Sequence, residues 1–141
     1  MKIENIDEKV VIYLYRYFLS YDDKDKLNQE IKNIFLKLIK IYNYDFFGFN
    51  KVTIYENKIY GCIIEIEKIY SDSLYQDIID LKVVVYNNVS FYFEFDDYIF
   101  PFYNKDIVKN NNKYYIKIDN SKKLYKYLEY GKIIYKNDML N

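Results

Sequence analysis

The stretch Lys24-Asp-Lys-Leu-Asn-Gln-Glu-Ile-Lys-Asn-Ile-Phe-Leu-Lys-Leu-Ile-Lys-Ile-Tyr42 is the clearest amphipathic pattern in the chain. Leu27, Ile31, Ile34, Phe35, Leu38, Ile41 and Tyr42 recur at steps of three and four, while Lys24, Asn28, Lys32 and Lys40 occupy the other face. That period belongs to a surface helix with one apolar stripe, so a helix is expected over about residues 24–42. Ser20 to Asp23 precede it with oxygen side chains suited to capping its free N–H groups. Phe35, at the centre of the stripe, is a structural residue of the core.

Strands flank this helix. Upstream, Ile3 to Leu19 contains the run Val10-Val-Ile-Tyr-Leu-Tyr-Arg-Tyr-Phe-Leu19, dense in β-branched and aromatic side chains, and reads as one strand with a continuation, not two. Downstream, Phe46 to Glu56 and Lys58 to Ile69 read as a pair joined at Glu56-Asn57-Lys58, with Asn57 expected to take the positive φ of a tight turn. In the second of the pair, Tyr60, Ile64 and Ile66 alternate with Glu65, Glu67 and Lys68, which places those charges on a solvent face. The first seventy residues therefore form a β-α-β-β lobe.

Ser71 to Asp80 is polar with some helical character and marks a connector, giving lobes at 1–70 and 83–141 with residues 71–82 between them. In the second lobe, Lys82 to Tyr86 and Val89 to Phe95 read as strands about a turn at Asn87-Asn88. Pro101 ends that run. Val108 to Asn112 reads as an asparagine-rich turn, and Lys113 to Ile118 as another strand. Asp119, Asn120 and Ser121 cap a short helix over about residues 122–130. Gly131 is a structural residue, a left-handed terminator of that helix, and Ile133 to Tyr135 closes the sheet. The fold class is α+β, antiparallel sheet with helices packed on one face.

Composition sets limits on function. The chain has 141 residues with 21 basic and 21 acidic side chains, so no net charge marks it as a nucleic-acid or acidic-membrane binder. The balance is uneven: residues 1–104 hold 12 basic and 17 acidic side chains, and residues 105–141 hold 9 and 4. With no histidine there is no Ser-His or Cys-His pair and no imidazole ligand for zinc. Asp96-Asp97 and the Glu65/Glu67 pair are formal acid/base candidates, read here as solvated carboxylates. Asp22 to Asp25 lacks the glycine and bidentate glutamate of a calcium loop. Three glycines make no phosphate loop, so no cofactor, metal or catalytic residue is expected. Cys62 is alone and sits among apolar neighbours, as a buried inert thiol of a reducing, cytoplasmic compartment would. No apolar run has the length of a membrane span.

The segment after residue 105 interleaves lysines with tyrosines, an arrangement that could stack and neutralise single-stranded nucleic acid. Its lysines are spread over helix and strand, and a protein partner fits such a face better.

Several segments resemble the MecA family, adaptors that feed substrates to the unfoldase ClpC. Met1-Lys-Ile-Glu-Asn-Ile-Asp-Glu-Lys-Val resembles that family's opening strand, and Phe91-Tyr-Phe-Glu-Phe-Asp-Asp-Tyr the strand opening its C-terminal lobe. Asn112-Lys-Tyr-Tyr-Ile-Lys and Leu128-Glu-Tyr-Gly-Lys-Ile-Ile-Tyr-Lys-Asn are similar to its later strands. The departures are a connector shortened to Ser71–Asp80 and little room for a helix within Pro101–Asn110. The resemblance implies a non-enzymatic adaptor whose first lobe meets substrate proteins and whose second meets a ClpC-type unfoldase. Lys126, Glu129, Tyr130 and Lys132 would form the partner-binding surface.

Overall fold

The computed structural model describes residues 1–70, 78–96, 108–119 and 132–136. The chain divides into two units, Met1–Glu56 with Gly61–Tyr86, and Asn57–Tyr60 with Asn87–Asn141. Both are built largely from antiparallel sheet, and with one helix among the described residues the fold is α+β.

The first unit opens with β1 (Lys2–Ile6) and β2 (Lys9–Tyr15), then α1 (Lys24–Tyr42), β3 (Gly48–Asn57), β4 (Gly61–Tyr70) and β5 (Ile79–Tyr86). Its sheet runs β1-β2-β4-β3-β5. The opening run is thus a hairpin and not one strand. Asp7 and Glu8 both adopt positive φ (47° and 66°), the two-residue turn whose twist matches antiparallel strands. Glutamate seldom adopts that conformation, so local sequence gave no turn signal there.

The helix falls where its periodicity places it. Asp23 caps the N-terminus, its carboxylate accepting the Asp25 N–H at 2.9 Å. Asn43, at φ 58°, ends the helix in the left-handed conformation and donates its N–H to the Ile39 carbonyl. Leu27, Ile31, Phe35 and Leu38 pack on Ile12, Leu14, Val52, Ile54, Cys62, Ile64 and Ile66 of the sheet. Phe35 is fully buried and stacks on Phe46, with ring centroids 4.4 Å apart. The apolar stripe stops one turn earlier than its sequence suggests: Ile41 and Tyr42 are 66% and 53% exposed.

β5 corrects the lobe boundaries. Val83 to Tyr86 belong to the first unit, not to a lobe over 83–141. β5 lies parallel to β3, with Val52 opposite Val83 and Ile54 opposite Val85, and its Leu81, Val83 and Val85 pack against the helix-covered core. A parallel pairing carries no local turn signal, so the strand's partner could not be read from the residues beside it.

The second unit holds β6 (Tyr92–Phe95), β7 (Val108–Asn110), β8 (Lys113–Lys117) and β9 (Lys132–Ile134), in the order β7-β8-β6-β9. All its described pairs are antiparallel. The asparagine-rich segment is a strand and a turn: β7 leads into Asn111 and Asn112, both at positive φ, and then β8. Phe91, Phe93, Phe95, Ile116, Ile118 and Tyr60 are buried here. Asn57 does not supply a positive φ. Its Oδ1 instead accepts the N–H groups of Ile59 and Tyr60 at 2.9 Å, and its Nδ2 donates to the Val89 carbonyl at 2.9 Å. Pro101, the expected helix over 122–130 and Gly131 lie outside the described residues.

Candidate interaction surface

Strand alternation gives the second sheet one mainly apolar side and one mixed side, on which the buried Ile134 stands opposite Tyr92. Phe93, Phe95 and Ile116 are buried on one side. On the other, β6 presents Tyr92 and Glu94, β8 presents Lys113, Tyr115 and Lys117, and β9 presents Lys132. Register brings these six together. Tyr92 stands opposite Lys117, and Glu94 lies between Tyr115 on one neighbour and Lys132 on the other.

Glu94 organises the local charge. The Lys113 ammonium donates to its Oε1 at 3.3 Å, with the lysine side chain 46% exposed and the glutamate 13%. The glutamate hydrogen bond and charge hold the Lys113 pKa above its ordinary value. Partial burial, then the same carboxylate, raises that of the Tyr115 hydroxyl. The face therefore sets the Lys113 ammonium and the Tyr115 phenol beside the Glu94 side chain. Such a face favours a partner offering both carboxylates and apolar area over a uniformly anionic one.

Of the residues named from sequence for partner binding, Lys132 is exposed at the start of β9, whereas Lys126, Glu129 and Tyr130 lie outside the described residues. The lysine–tyrosine segment is divided between the two faces. Lys113, Lys117 and Lys132 share the mixed one. Lys109 sits 5.7 Å from the Tyr114 ring centre and Lys136 5.8 Å from that of Tyr135. Those two ammonium groups are thus already engaged with aromatic rings of their own chain. Tyr92 and Glu94 were absent from the sequence-derived surface because they lie in a different run of the chain. Only the β6–β8 and β6–β9 registers join them to the lysines.

The carboxylates proposed as solvated differ from one another. Glu65 is 6% exposed, not on a solvent face, because the side of β4 turned away from the helix is enclosed as well. It stands opposite Val11 and next but one to Ile63, both buried. Glu67 is half-buried and Asp96 exposed, while Asp97 lies outside the described residues. Cys62 is fully buried, and burial, followed by the charges of Glu56 and Glu30, pushes its pKa up to about 12. A thiol so placed stays protonated and unreactive at neutral pH. Among the described residues no cluster of acidic or thiol side chains could hold a metal ion, and no helix is long and apolar enough to cross a membrane.

No protein-family model, curated protein or solved structure matches this chain.

Proposed function

We propose that this chain is a non-enzymatic adaptor or regulator of the MecA kind, binding a ClpC-type AAA+ unfoldase, its substrate proteins, or both. The observation that supports this reading best is the mixed Lys–Tyr–Glu face of the second sheet. It is completed by Lys132, directly after the Leu128-Glu-Tyr-Gly segment that carries the closest resemblance to that family. Tyrosines supply contact area at little entropic cost, and the flanking charges set orientation and encounter rate.

Capture on the immobilised full chain, with purified ClpC-type unfoldase and with or without ATP, tests this. Wild type should retain the unfoldase. Lys132→Ala should leave the melting temperature unchanged and lower the association rate roughly a few-fold, as loss of a rim charge does. Failure of the folded wild-type chain to capture the unfoldase would remove the proposal.

A second reading has a specific observation in its favour, since Tyr92 and Tyr115 lie beside Lys113, Lys117 and Lys132 as a single-strand platform would require. Glu94, in the middle of that face, opposes it by repelling phosphate. Affinity for an oligonucleotide that falls linearly on a log–log salt plot would favour this alternative, and an apolar-centred protein interface should respond less.

A further inference from the structure

We infer that a second copy of this chain pairs with the edge of β5, joining the two first-unit sheets through an antiparallel β5–β5 ladder about a twofold axis at Leu81. Among the described residues no strand lies beyond β5. It is eight residues long, Ile79-Asp-Leu-Lys-Val-Val-Val-Tyr86, with no proline to blunt it. Its polarity is fixed by one bond. The Ile78 carbonyl accepts the Gly48 N–H at 2.8 Å, so even-numbered residues turn their backbone groups toward β3. Ile79, Leu81, Val83 and Val85 consequently turn theirs outward, where a further strand would meet them.

The side chains choose both the occupant and the register. Asp80 and Lys82 are exposed, and neither belongs to an ion pair among the described residues. Lys82 moreover stands opposite Lys51 of β3, which is also exposed, a like-charge neighbour that an external carboxylate would relieve. With the axis at Leu81, Asp80 of each copy faces Lys82 of the other, so two such pairs form. These positions exchange no backbone bonds, and there opposed side chains approach most closely. In the same register Ile79 meets Val83 on the apolar face, and Ile78, 49% exposed, meets Val84. An axis at Asp80 or at Lys82 would oppose like charges, and one at Val83 would leave both charges facing apolar or aromatic residues.

Sedimentation equilibrium on the full chain tests this. Wild type should be a dimer. Asp80→Lys and Lys82→Asp should each weaken the dimer roughly ten- to a hundredfold by turning both attractive pairs repulsive. Asp80→Lys combined with Lys82→Asp, which restores opposite charges with their signs exchanged, should bring dimerisation back. Circular dichroism checks the fold of each variant. Should Asp80→Lys fail to fold, Lys82→Asp carries the test, since it also removes the clash with Lys51. A wild-type chain that stays monomeric through the millimolar range would overturn the inference. So would a dimer indifferent to the single reversals, or one that the double reversal does not rescue.

Discussion

Gly61 shows how narrowly a single residue can be constrained. It begins β4 at φ +121°, a conformation that residues with a side chain rarely adopt. A Cβ there would run into the Leu14 carbonyl and approach the Arg16 nitrogen to 2.8 Å. Both neighbours are backbone and cannot swing aside. Gly61→Ala should therefore cost on the order of 2–4 kcal/mol, combining conformational strain with displacement of the β2 backbone. A urea titration would show this as a lowered midpoint at unchanged slope, and an unaltered midpoint would refute the argument. Nothing near Gly61 in the sequence announces it, because the obstruction comes from residues 14 and 16. Asn57 is the complementary case. An asparagine at a hairpin is a legible turn signal, yet its part is played by side-chain hydrogen bonds and not by a positive φ.

At the scale of elements, α1 was legible because its period, its Asp23 cap and its covered face all agree. Phe35→Ala should cost roughly 3–5 kcal/mol, since a fully buried ring stacked on Phe46 leaves a cavity the sheet cannot collapse to fill. Lys37→Ala, on the exposed side, should shift the melt by less than about 0.5 kcal/mol. Comparable losses from the two would mean that the helix packs through another face. The strands were legible as apolar runs, and so was the β3–β4 neighbourhood across the turn at Asn57, but the other pairings were not. Alternation assigned Glu65 to solvent because a period-2 pattern separates the two faces of a strand but does not show whether the second face is covered. In the structure Val11, Tyr13, Ile63 and Glu65, on the side of the sheet away from α1, are all buried. The mixed face of the second sheet was half legible for a related reason. Its lysines and Tyr115 lie in one run, whereas Tyr92 and Glu94 join them only through register.

For the whole molecule, composition gave the fold class, while the division into units depended on long-range pairing. The second unit includes four residues from the turn between β3 and β4. Tyr60, 3% exposed, packs its ring 5.6 Å from that of Phe91, and Asn57 binds the Val89 carbonyl. A fragment over 87–141 lacks both, and at that size a domain has little stability to spare. It should show no cooperative thermal transition, whereas the full chain should. A sharp melt of the isolated fragment, with native-like near-ultraviolet dichroism, would contradict this dependence.

The same turn has a consequence during synthesis. Residues 57–60 leave the ribosome long before the ring cluster they join is complete, since Phe91, on which Tyr60 packs, is itself packed by Tyr135, whose ring stands 6.3 Å from it. At elongation rates of about 5–20 residues per second, Tyr60 waits roughly 4–15 s for the last of that group. The first sheet can be completed once β5 emerges, well before then. Through that interval the nascent protein carries a finished sheet whose β3–β4 tip still holds a tyrosine short of its full cover, a site for premature association between neighbouring chains on one polysome.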